Sequence, residues 1–119
     1  MNKSEWRRQI ILALNDMADE SFQRRAWAGT GPEISSLVEV ICRLFDDALF
    51  IEYKDKYKET LSSYILTNVS ILDQKIKSLD TVYLDTLPVM KVIESPKWVE
   101  IRNIAGNLKL AFEQDKSVE

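Results

Sequence analysis

The chain has no histidine among its 119 residues and a single cysteine, Cys42. Together these exclude Ser–His and Cys–His catalytic pairs and every histidine-based zinc site. A lone cysteine excludes an internal disulfide and points to a reducing compartment. Three glycines and three prolines are too few for a turn-rich all-β design, so long regular elements are expected. No run approaches the 18 or more consecutive apolar residues of a membrane span, so no membrane association is expected. The start, MNKSEWRRQIILALNDMADE, is basic and then apolar. Its unbroken apolar run covers only residues 10–14, too short for a signal sequence, and it reads as a mature cytoplasmic N-terminus.

What is present is helical periodicity. The pattern predicts an all-α fold, a single compact domain of five or six helices over residues 1–119, with the tail 114–119 frayed. Ser4 is a candidate N-cap for a first helix whose stripe is Trp6, Ile10, Ala13, Leu14 and Met17. Asp19 is the candidate cap of a short second helix, ended by Gly29-Thr30-Gly31-Pro32, with a glycine at the left-handed position and a proline that forbids continuation. A third helix, from about Ser35 to Asp46, carries Ile34, Leu37, Val38, Ile41, Leu44 and Phe45 at the 3.6-residue period. Leu37, Ile41, Leu44 and Ile101 are expected to share one core. Glu39 and Arg43 lie on the polar side as an i,i+4 pair.

Residues 48–53 suit either a helix or an extended segment, and residues 54–59 form a solvated charge run. A long helix follows with Leu61, Ile65, Val69, Leu72, Ile76 and Leu79. Asp85 or Thr86 is the expected cap of a short helix that holds Pro88 in its first turn. Ser95-Pro96 opens the last helix, with the stripe Trp98, Ile101, Ala105, Leu108 and Phe112. Gly106 inside it costs about 1 kcal/mol against alanine unless a neighbouring helix packs closely there.

Charge is uneven although the net value is only −3. Between Glu33 and Asp55 stand six acids, Glu33, Glu39, Asp46, Asp47, Glu52 and Asp55, against Arg43 and Lys54. Residues 75–110 hold six bases and four acids. An overall acidic chain disfavours direct nucleic-acid binding, which needs a basic surface. Arg7-Arg8 and Arg24-Arg25 read as solvated groups paired with Asp16, Asp19 and Glu20. Gly29 and Gly31 match neither GxxxxGKS/T nor GxGxxG and read as a helix–helix turn. Adjacent helical residues point about 100° apart, so Asp46 and Asp47 do not converge on one ion. No catalytic residue, cofactor or metal site is expected.

Arg24-Arg25-Ala26-Trp27, the segment GPEISSL at 31–37 and the segment CRLFDD at 42–47 resemble a signature of small bacterial proteins, some of which serve as immunity proteins of contact-dependent growth inhibition systems (CdiI-like). The resemblance covers about a quarter of the chain. It implies a cytoplasmic protein that binds a cognate toxin domain, often a nuclease, and blocks its active site. A nuclease cleft is basic, and acids held on rigid helices can stand in for its phosphates. Glu33, Glu39, Asp46, Asp47, Glu52 and Asp55 are then the candidate partner-binding residues. The alternative is a helical regulatory or adaptor protein that binds another protein or nucleic acid.

Overall fold

The computed structural model describes residues 2–29 and 31–115, and they form an all-α fold with no strand among them. The elements are α1 (Lys3–Ala18), α2 (Glu20–Ala28), α3 (Leu37–Cys42) running into a π-helical turn (Arg43–Asp47), α4 (Phe50–Tyr57), α5 (Ser63–Lys77), α6 (Thr81–Asp85), α7 (Val89–Ile93) and α8 (Pro96–Gln114). The described residues thus hold eight α-helices rather than five or six. Of the ambiguous residues 48–53, positions 50–53 are helix, Ala48 and Leu49 form the turn ahead of it, and α4 runs on to Tyr57 through much of the expected charge run. The 80–95 connection winds into two single-turn helices.

The long helix α8 organises the core. Trp98, Ile101, Ala105, Leu108 and Phe112 recur every three or four residues and are all buried, as their period requires. Helix α8 packs against α1 and α5, and α2 packs against α7. From α1 come Ile10, Ala13, Leu14 and Met17, and from α5 Ile65, Val69, Leu72 and Ile76. One continuous buried cluster joins these side chains from Ile10 to Phe112. No helix among the described residues is long and apolar enough to cross a membrane.

Several helix ends follow the chemistry of their caps. Asp19 accepts from the Phe22 amide, Gly29 sits at φ 71° in the left-handed region, and Ser95 precedes Pro96 with its side chain accepting from the Trp98 amide. Other ends depart from the sequence reading. Asn2, not Ser4, caps α1, because its side chain accepts from the Glu5 amide. Helix α3 begins at Leu37, since the Ser36 hydroxyl takes the Glu39 amide at 3.1 Å. Asp80 caps α6, and Pro88 is the N-cap of α7 rather than a residue of its first turn. Thr30 and residues 116–119, the end of the tail expected to fray, lie outside the described residues.

The third-helix stripe is only partly a core stripe. Leu37 and Leu44 join Ile101 in the buried cluster, whereas Ile41 is half-buried and packs against it. Ile34 and Val38 face solvent, at 82% and 47% exposure. Starting the helix at Leu37 explains Ile34, which lies in extended chain before the first turn.

The arginines are likewise redistributed. Arg24 takes an expected partner, Glu20, which also pairs with Arg102. Arg7 donates to the carbonyls of Phe112 and Glu113 at 2.9 and 3.0 Å at the C-terminal end of α8, where the Asp115 amide also reaches the Phe112 carbonyl at 3.4 Å. Arg8 pairs with Glu5, and Arg25 with Glu33.

Candidate functional site: an acidic cleft beside a π turn

The α3 segment and its π turn border a cleft of about 530 Å³ against α1. Its charged lining is Asp16 from α1, Glu39 from α3, and Arg43 and Asp47 from the π turn, three carboxylates against one guanidinium. Phe22, Ile34 and Val40 supply apolar wall.

Local chemistry fixes this geometry. The Ser35 amide donates to the Ala26 carbonyl at 3.2 Å, tying the chain ahead of α3 to α2. After Cys42 the helix widens. The Ala48 amide reaches back five residues to the Arg43 carbonyl at 2.9 Å, the hydrogen bond that defines a π turn. Leu49 follows in the left-handed region, φ 51° and ψ 54°, a costly conformation for a leucine, and it turns the chain into α4.

Helix α1 clasps both ends of this unusual turn. At one end the Arg43 guanidinium pairs with the Asp16 carboxylate. At the other the Trp6 indole N–H donates to the Ala48 carbonyl at 2.6 Å. Two fixed points on one rigid helix supply the over-determination that a strained segment needs in order to persist.

The electrostatics follow burial and pairing. Burial pushes the Asp16 carboxyl above the usual carboxylate range, outweighing the opposing pull of Arg43. The hydrogen bond from Arg25 holds Glu33 below that range. The Cys42 thiol is raised by burial and by the Asp46 carboxylate, which accepts a hydrogen bond from its S–H, so it stays protonated at neutral pH and is a poor nucleophile. Among the described residues, no group of three or more histidine, cysteine, aspartate or glutamate side chains is arranged to hold a metal ion.

All six candidate acids are exposed, and the structure gathers only some of them. Glu39 and Asp47 share the cleft. Asp46 is not among the cleft's lining residues, though its carboxylate meets the thiol of Cys42, which is. Glu33 is neutralised by Arg25 at 2.9 Å. Glu52 and Asp55 stand one turn apart on α4, with Lys54 3.5 Å from Asp55. Arg43 pairs with Asp16 instead of its helical neighbour Glu39, which corrects the expected i,i+4 pair and leaves Glu39 on the open side. Asp16 is the cleft residue the sequence reading missed. It lies 27 positions from Arg43, beyond any local pattern.

The chain belongs to a protein family described as a domain of unknown function (DUF7945), whose profile matches residues 1–115. No curated protein and no solved structure matches it.

Proposed function

We propose that this chain is a cytoplasmic immunity protein that binds a cognate bacterial toxin domain with a basic surface, a nuclease being the class that fits best, and neutralises it by covering its active site. The observation that carries the reading is the grouping of Glu39 and Asp47 in one cleft with Asp16, to which α4 adds the exposed acids Glu52 and Asp55. Carboxylates on packed helices are pre-positioned, so a basic cleft meets them without a large ordering cost. The mode of action is occlusion rather than chemistry. A raised, protonated Cys42 and the absence of histidine support a binding role over a catalytic one.

The test is protection. Cells expressing the chain are challenged with the toxin domain encoded beside its gene, and the purified pair is titrated at two salt concentrations. Survival and a salt-dependent complex are expected. The double reversal Glu39→Lys/Asp47→Lys should abolish protection, while reversal of Asp46, which lies outside the cleft lining, should weaken it less. Full protection by the double variant would place the contact on another face. No protection by the unaltered chain would favour the regulatory or adaptor reading.

A further inference from the structure

We infer that Arg43 is a built-in competitor for the acidic cleft. Held by Asp16, it leaves Glu39 and Asp47 free for a partner's cations; released from Asp16, it neutralises them itself. The inference rests on the binding role proposed for the cleft and adds the contact that regulates it.

Asp16, Glu39, Arg43 and Asp47 line one cleft, so a single guanidinium stands among three carboxylates. That guanidinium pairs with Asp16, and neither Glu39 nor Asp47 makes an ion pair among the described residues. Sequence spacing nevertheless offers it both. Glu39 lies four positions before Arg43 and Asp47 four positions after. Side chains four apart are neighbours on a helix, and an acid N-terminal to its base is the favoured order. The backbone from 39 to 43 has that geometry, since Arg43 keeps helical angles and its amide donates to the Glu39 carbonyl. Asp16 therefore draws the guanidinium away from a local partner that the helix already supplies.

Exchanging the partners takes only a side-chain rotation. The Arg43 side chain is 42% exposed, against 21% for Asp16, so its release strands no buried cation. The far end of the π turn stays fixed, because the Trp6 indole holds the Ala48 carbonyl at 2.6 Å. No other cation lines the cleft to take the place of Arg43. Asp19, which also acts on Asp16, is itself an acid, and Asp46 is engaged with the Cys42 thiol. The two arrangements differ in which charge is left bare. Pairing with Asp16 leaves two exposed acids open to a partner, whereas pairing with Glu39 leaves the more buried Asp16.

The test compares Asp16→Asn, Arg43→Gln and the double variant with wild type, circular dichroism confirming that each is folded. Nuclear Overhauser contacts from the Arg43 side chain to Asp16 in wild type should move to Glu39 in Asp16→Asn. Affinity is then titrated against the toxin domain encoded beside the gene. Asp16→Asn should weaken binding about tenfold and Arg43→Gln should tighten it, although both break the same ion pair. Glu39→Gln, added to each background, supplies the discriminating readout. It should weaken binding in wild type and in the double variant but have little effect beside Asp16→Asn, where Arg43 already neutralises Glu39. Equal effects in all three backgrounds overturn the inference, since independent charges add. Equal losses from Asp16→Asn and Arg43→Gln, the result of a purely structural pair, overturn it too, as do Arg43 contacts that never reach Glu39. No binding by wild type, with the Arg43 contacts shifted as expected, would overturn the binding role of the cleft and leave the exchange of partners standing.

Discussion

The indole N–H of Trp98 donates to the side-chain oxygen of Gln23 at 3.0 Å, and neither residue has any exposed surface. The amide nitrogen of Gln23 in turn donates to the carbonyls of Met17 and Asp16, at 2.8 and 3.0 Å. A single polar side chain thus satisfies the largest fully buried residue of α8 and the last turn of α1 at once. It also fixes the angle at which α2 leaves α1.

Replacing Gln23 should therefore be among the most damaging changes in the protein. Gln23→Ala leaves a buried indole donor and two carbonyls short of partners and opens a cavity, at a cost of about 3–5 kcal/mol. Gln23→Leu fills the volume but still strands the polar groups, so it should recover only part of that loss. Urea midpoints of the two variants against wild type check the order.

The core itself grades the substitutions on α3 and its π turn. Leu44 is fully buried, and Leu44→Ala should cost about 2–5 kcal/mol. Ile41 is half-buried, so Ile41→Ala should cost only about 1–2 kcal/mol. Equal losses in parallel denaturation curves would mean that α3 is rotated about its axis relative to this packing.

These contrasts show where the sequence is readable. The stripe of α8 and its Ser95-Pro96 start are local features, and a local period or cap is enough to place them. The Ile34 error is different. Its spacing matches the stripe of α3, but a serine two positions later caps the helix by accepting from the Glu39 amide and moves its start to Leu37. Gln23 carried a usable signal, since it precedes the buried Ala26 by three residues on one helical face. The cleft was half legible. Glu39 and Asp47 belong to a visibly acidic tract, but Asp16 reaches the cleft, and Trp6 the end of the π turn beside it, only through the packing of α1. No residue pattern announces the π turn, which is held by those long-range contacts.

Gly106 offers a gain of stability. A methyl group built there meets Ala18 at 3.7 Å, an ordinary contact, so the close approach of α1 leaves room for it. Gly106→Ala removes the entropic cost of a helical glycine and should stabilise the fold by about 0.5–1 kcal/mol. A rise in thermal midpoint measures it. A fall would show that the two helices sit closer together in solution.

Tyr53 supplies the pH dependence. Its ring lies against Trp6, Tyr57 and Phe112 at centroid distances of 5.3, 4.8 and 6.0 Å. Its hydroxyl is buried with no hydrogen-bond partner among the described residues. Burial, reinforced by the charge of Asp115, raises the phenol from 10.0 to about 12. Between those values the unfolded chain loses the proton and the folded chain keeps it. The contribution is therefore intact below pH 10, and stability falls as the pH rises towards 12. The two-unit gap corresponds to about 2–3 kcal/mol. Tyr53→Phe removes both the titration and the stranded hydroxyl, so it should leave stability at pH 7 unchanged or slightly higher and flatten the alkaline decline. Urea midpoints of wild type and variant from pH 8 to 12 decide the matter. Parallel declines in the two proteins would assign the alkaline loss to groups other than this phenol.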